Sequence, residues 1–186
     1  EQLILKHFTD DDFRHVWDRK IGGGVIGGKA CGLLVARKLI ELMMADYAAY
    51  VEPHDSFFIG TDVFYRYLVL NRCSELKARH RLEKDDFKET DELTNRLQNG
   101  RLPDDILKEL GEMLDHYGST PIIVRSSSIM EDGYGNAFSG KYESVFCMNQ
   151  GTKEDRLEEL ECAVRRVYAS VMNEQAIEYR RKRHLL

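Results

Sequence analysis

The stretch "PIIVRSSSIMEDGYGNAFSGKYESVF" (Pro121–Phe146) decides how this sequence is interpreted. Its apolar ends predict two strands, a buried one over Pro121–Val124 and a second over Glu143–Met148. Between them lies a long polar segment with three glycines, which is typical of a loop that closes over a ligand. A surface hairpin with a serine-rich bend is the alternative, but the full combination of features favours a ligand loop.

Arg125 stands at the end of the first predicted strand, where α/β proteins place their ligands. Its guanidinium stays charged and can bind two phosphate oxygens at once. Ser126, Ser127 and Ser128 follow directly and add hydroxyls and unhindered backbone N–H groups. This order of residues predicts a phosphate site.

A second glycine-rich stretch, "GGGVIGGKACGLL" (Gly22–Leu34), nearly spells a P-loop. A P-loop needs Ser or Thr where this chain has Ala30, and it needs a buried strand before the loop. The preceding "FRHVWDRKI" has helical spacing and four charged residues, so we reject a P-loop. A helix that starts near Lys29 still favours an anion at its N-terminus. A glycine turn followed by a solvent-exposed lysine is the open alternative.

The rest of the chain predicts a mixed α/β fold. Apolar residues at helical spacing predict helices over Thr9–Arg19, Lys29 to about Tyr47, Asp62 to about Asn71, Pro103 to Gly118 and Gly151 to about Arg183. A short strand is predicted at Phe57–Ile59. The charge-rich residues 72–101 have few apolar positions, which predicts a helical surface insertion.

Composition excludes several classes of protein. The 186 residues suffice for one good core or two small subdomains. A net charge of −5 gives no general attraction to nucleic acid or to acidic membranes, and no apolar run approaches the roughly 20 residues of a membrane span. The four cysteines lie far apart without a CxxC pair, which argues against a zinc site and a disulfide framework. We predict a cytoplasmic protein with reduced cysteines that binds neither nucleic acid nor membrane.

Several stretches of the sequence resemble one known family. "GGKACGL" (Gly27–Leu33) resembles the lysine motif of the nucleotide-binding domain in pyruvate phosphate dikinases and phosphoenolpyruvate synthases. "VRSSSIMED" and "AFSGKYES" resemble its arginine-serine motif and phosphate loop, and "FFIGTDVFYRYL" and "VYASVMNEQAIEYRR" resemble a strand-helix step and a later helix. The motifs occur in the family's order and span most of the chain. The resemblance implies an ATP-grasp-like α/β fold, truncated, with a mixed sheet and flanking helices.

The resemblance also implies a set of site residues. Lys29 and Arg125 would be catalytic and contact the phosphates of ATP, while Glu131 and Asp132 would organise the loop. The implied nucleotide-binding residues are Gly28, Lys29, Arg125, Ser126, Ser127, Gly140, Lys141 and Ser144. The chain departs from the commonest pattern at Ser128-Ile129, where alanine and threonine are usual, and at Lys141-Tyr142, where two glutamines are common. These departures indicate a separate branch of the family.

Family enzymes transfer phosphate from ATP to a histidine on a separate swivelling domain, and from there to pyruvate or another acceptor. Their Mg²⁺ ligands and adenine pocket lie in a second half of the domain, which we expect beyond residue 186. Residues 1–186 would then be the N-terminal portion of the ATP-binding domain of a larger multidomain enzyme, inactive alone. No residue of the chain is assigned as a metal ligand or as the phosphohistidine. The alternative is a non-catalytic nucleotide-sensing or interaction module that retains the fold.

Overall fold

The computed structural model describes residues 1–44, 46, 50, 55–76, 87–128, 140, 142–172, 176–178 and 182, with backbone alone at 87–90. The described residues form a mixed α/β fold, as predicted. The chain divides into two compact units. The first holds Glu1–Thr61 and Ser127–Ala137, and the second holds Asp62–Ser126 and Phe138–Leu186.

The first unit consists of three helices and a two-stranded parallel sheet in its described part. In chain order these are α1 (Gln2–His7), α2 (Asp10–Asp18), β1 (Lys20–Ile21), α3 (Gly28–Met43) and β2 (Phe58–Ile59). Lys20 pairs with Phe58, and Ile21 pairs with Ile59. The predicted start of α2 is confirmed, since Thr9 and Asp12 form a capping box.

The second unit begins at Asp62, the second residue of the next helix. Its elements are α4 (Thr61–Leu70), α5 (Phe87–Asn99), α6 (Asp104–Tyr117), β3 (Ile122–Arg125), β4 (Ser144–Cys147) and α7 (Lys153–Ser170). β3 and β4 pair in antiparallel fashion, with Ile122 opposite Cys147 and Arg125 opposite Ser144. The predicted start of α7 is confirmed by a capping box between Thr152 and Asp155.

The core of the second unit forms where α5 and α6 pack against α7. Leu93 and Leu97 of α5 are only 0% and 1% exposed, and the hydroxyl of Tyr67 donates to the carbonyl of Leu97 at 2.7 Å. Within the charge-rich residues 72–101, Phe87–Asn99 is helical as predicted and its apolar positions Leu93 and Leu97 are buried, while the insertion itself stays a prediction. Few apolar residues suffice here because Leu93 and Leu97 are both buried in a helix that packs against α7.

The turn between α6 and β3 is held by a buried polar clamp. The Asn149 side chain, 1% exposed, donates from Nδ2 to the carbonyls of Gly118 at 3.0 Å and Thr120 at 2.7 Å. The Glu159 carboxylate on α7 in turn accepts from the backbone N–H groups of Met148 and Asn149. The clamp thus joins the start of β3 to the end of β4.

The β3–β4 sheet is covered on one face only. Val145 and Cys147 are buried, whereas Phe146 is 73% exposed and its partner Ile123 is also exposed. The prediction that Pro121–Val124 forms a buried strand is wrong on this point, because α7 packs against a single face. Arg125 and Ser144 lie on the open face, in alternation with the buried residues.

Candidate functional site

A short strand leads into the first glycine-rich stretch. Ile21 at the end of β1 is 2% exposed, and its carbonyl accepts from the N–H of Gly60. The expectation that no strand precedes this loop is wrong. A two-residue strand that follows charged residues is hidden by helical spacing in the sequence, and it is stabilised by its pairing with residues of β2 that lie 38 positions further along. The absence of Ser or Thr at position 30 still separates the segment from a P-loop.

The glycine loop is held in place by three hydrogen bonds. Gly22 and Gly24 both have φ of +70°, which strongly favours glycine. The Lys20 ammonium donates to the carbonyl of Gly24 at 3.1 Å. Val25 and Thr61 exchange two bonds, from Val25 N–H to the Thr61 hydroxyl at 3.2 Å and from Thr61 N–H to the Val25 carbonyl at 3.1 Å. The loop therefore has a fixed shape. Sequence reasoning missed Lys20 and Thr61 here because each acts through the backbone of another residue.

α3 begins at Gly28, close to its predicted start, and places Lys29 in its first turn. That turn contains no acidic residue, so the positive end of the helix dipole is left without a carboxylate of its own. Lys38, near the other end of α3, lies 2.7 Å from the carboxylate of Asp12 on α2. Burial raises the pKa of Asp12, but the hydrogen bonds from Lys38 and Thr9 outweigh it and lower this pKa. This ion pair fixes α3 against α2.

Ser127 of the arginine-serine motif contacts the first turn of α3. The backbone N–H of Ala30 donates to the Ser127 hydroxyl at 3.0 Å, across 97 residues of sequence. Gly27 approaches the same serine so closely that an added Cβ would lie 1.4 Å from the Ser127 carbonyl oxygen. The structure therefore brings together two of the motifs that the sequence singled out separately.

Three other predicted phosphate residues, Arg125, Gly140 and Ser144, lie at or just before the paired ends of β3 and β4. Arg125 and Ser144 are direct cross-strand partners, so their side chains are neighbours on one face. Gly140 has φ of +74°, a conformation that favours glycine. The Glu143 backbone N–H donates to the Ser170 hydroxyl at 3.1 Å, which ties the start of β4 to α7.

Several predicted residues are not tested by these contacts. Glu131, Asp132 and Lys141 lie outside the described residues. Gly28, Lys29 and Ser126 are described and half-buried, and their binding to nucleotide stays a prediction. Within the described ranges, no group of three or more His, Cys, Asp and Glu side chains is arranged to hold a metal ion. In the same part of the chain, no helix is long and apolar enough to cross a membrane.

A short strand, a glycine loop and a helix start with a lysine form an arrangement that favours an anion at the helix N-terminus. The family model "Pyruvate phosphate dikinase, AMP/ATP-binding domain" matches residues 24–186. The chain belongs to this family and is a nucleotide-binding part of it. Comparisons with curated proteins and with solved structures gave no significant match.

Proposed function

We propose that this chain is the ATP-binding part of a dikinase-type phosphotransferase. It passes phosphate from ATP to a histidine on a separate swivelling domain, and from there to pyruvate or another acceptor. Membership of the AMP/ATP-binding family supports the proposal that the chain binds ATP. The observation that carries the site is the bond from Ala30 N–H to the Ser127 hydroxyl, because it joins the arginine-serine motif to the helix of the lysine motif.

In this proposal Lys29 and Arg125 bind the phosphates and act in catalysis. Lys29 lies in the first turn of a 16-residue helix whose dipole favours an anion at that end. Arg125 precedes Ser127 by two residues in the chain and has an exposed side chain. Phosphoryl transfer depends on positioning and charge neutralisation, and a lysine and an arginine supply both toward phosphate oxygens.

The remaining residues of the proposed site hold the nucleotide or its covering loop. The lysine motif contributes Gly28, and the arginine-serine motif contributes Ser126 and Ser127. The loop that closes over the phosphates contributes Gly140, Lys141 and Ser144. Glu131 and Asp132 organise that loop. Magnesium bound to ATP would neutralise further phosphate charge, but the described residues hold no cluster that fits the metal, so no step here uses it.

We also propose that residues 1–186 are one portion of the nucleotide-binding domain of a larger, cytoplasmic enzyme. The acceptor histidine and the residues that bind Mg²⁺ then belong to other parts of that enzyme. Productive transfer needs donor and acceptor in one geometry, which requires all of these parts together.

The test is isotope transfer from ATP labelled at both the β- and γ-phosphates to the full-length protein. We expect acid-labile label on histidine in the wild type. Lys29→Ala and Arg125→Ala should each reduce the rate at least about 100-fold, since each removes a charge that stabilises the transition state. Lys108→Ala, at an exposed lysine on α6, is the matched control and should label normally. Binding of ATP without any labelling would contradict the phosphotransferase and indicate a nucleotide-sensing module.

A further inference from the structure

Ser127 occupies the place that a capping side chain normally fills at the start of α3. The residue at the N-cap position is Gly27, and no side chain of the helix's own start caps it. A local cap would accept from the N–H of the second or third helical residue. Here the third residue, Ala30, donates to the Ser127 hydroxyl at 3.0 Å, so a segment 97 residues away supplies the cap.

Gly27 is required by this contact and not by its own backbone. Its φ of −78° and ψ of 175° are accessible to any residue, and Ser, Thr, Asp or Asn would cap the helix better locally. An added Cβ, however, would lie 1.4 Å from the Ser127 carbonyl oxygen and 2.6 Å from its hydroxyl oxygen. Any side chain at position 27 would therefore displace the serine. The glycine and the distant serine form one unit, which we call the Gly27–Ser127 cap.

We propose that Ser127 is a positioning residue that orients the phosphate-binding start of α3. Its hydroxyl is engaged with Ala30, so its role is to hold the first turn, with Lys29, in a fixed orientation. The same contact makes that orientation depend on the arginine-serine motif. This inference rests on the proposed function and deepens it. In it, Ser127 orients the helix turn that carries Lys29 and does not itself bind phosphate.

The cap itself is tested by hydrogen exchange at the Ala30 amide of the full-length protein. Ser127→Ala should speed exchange at this amide about fivefold, the effect expected from loss of a typical cap. Ser127→Thr keeps the hydroxyl and should leave exchange within about twofold of the wild type. If Ser127→Ala does not fold, Ser127→Cys is measured instead, because its thiol keeps the size but is a weak acceptor. Unchanged exchange at Ala30 would overturn the proposal.

The positioning role is tested by ATP affinity at a temperature where melting curves show every variant to be folded. Ser127→Ala and Gly27→Ala should each weaken ATP binding about fivefold to tenfold, whereas Ser127→Thr should bind within about twofold of the wild type. The double variant should bind no more weakly than the worse single variant, since both changes remove the same contact. Gly32→Ala is the matched control, because a Cβ at Gly32 meets nothing within 4 Å.

The outcomes separate this inference from the proposed function. Wild-type affinity in Ser127→Ala, with the wild type binding ATP, would overturn the positioning role and leave the proposed function intact. Absence of ATP binding by the wild type would overturn the proposed function and any role of Ser127 toward nucleotide. Weakened binding with unchanged exchange at Ala30 would show a direct phosphate contact by Ser127 and would also overturn the inference.

Discussion

Asn149→Asp should strongly destabilise the second unit. The Asn149 amide donates to the carbonyls of Gly118 at 3.0 Å and Thr120 at 2.7 Å from a position that is 1% exposed. A carboxylate of the same shape can donate neither bond and faces two carbonyl oxygens instead. The Glu159 carboxylate, which accepts from the Asn149 N–H at 2.9 Å, adds repulsion.

The magnitude follows from these contacts. Two lost hydrogen bonds cost about 1 kcal/mol each, and a buried carboxylate without donors adds about 1–2 kcal/mol. A total of about 3–4 kcal/mol should lower Tm by roughly 6–16 °C in a chain of this size. Burial should raise the pKa of the introduced carboxyl group above that of an aspartate in the unfolded chain. The folded state then binds the proton more tightly, so the deficit should be smaller at pH 5 than at pH 8.

The neighbouring amide provides a matched control. Gln150 also donates to this turn, to the Ser119 carbonyl at 2.8 Å, but it is exposed. Gln150→Glu makes the same chemical and charge change and should cost no more than about 0.5 kcal/mol. Thermal and urea unfolding of both variants provide the assay. If Asn149→Asp and Gln150→Glu melted within about 1 °C of each other, the buried clamp would not stabilise the turn that starts β3.

Three further predictions concern the second unit. Cys162 should react with a thiol reagent before Cys147 in the native protein, because Cys162 is exposed whereas burial raises the pKa of Cys147 to about 11. Equal labelling of Cys162 and Cys147 at pH 8, measured by mass spectrometry, would contradict this. The hydrogen bond from the Thr152 hydroxyl lowers the pKa of Asp155, so Asp155→Asn should destabilise the protein above about pH 4. In acid titrations of stability, the difference in free energy of unfolding between this variant and the wild type should vanish as pH falls through that lowered pKa. Leu93→Ala should cost about 3–5 kcal/mol in urea unfolding, since this side chain is 0% exposed; a cost below about 1 kcal/mol would instead fit a surface helix.

The elements that the sequence predicted well have local determinants. The starts of α2 and α7 follow from capping boxes whose two residues are three positions apart, Thr9 with Asp12 and Thr152 with Asp155. The end of α6 follows from Gly118, which adopts φ of +58°. Each of these signals needs only a few neighbouring residues, so it can be recognised without knowledge of the tertiary structure.

The features that sequence reasoning missed depend on distant partners. β1 exists because Lys20 and Ile21 pair with β2, although the local spacing is helical. The cap of α3 comes from Ser127, and nothing near Gly27 in the sequence indicates it. The burial of Leu93 depends on its packing partners in the core rather than on the charge-rich segment around it. Non-local pairing, and not the choice of residue types, separates the predicted features from the missed ones.

The central claim is that Lys29 and Arg125 bind the phosphates of ATP. The most direct measurement is ATP affinity of the full-length protein by calorimetric titration, with Lys29→Ala, Arg125→Ala and the control Lys108→Ala. Lys29→Ala and Arg125→Ala should each bind at least about tenfold more weakly, the effect of losing one charge-assisted hydrogen bond of about 1.5–3 kcal/mol, with Tm within about 2 °C of the wild type. Lys108→Ala should bind as the wild type does. Wild-type affinity in either Lys29→Ala or Arg125→Ala would contradict the claim.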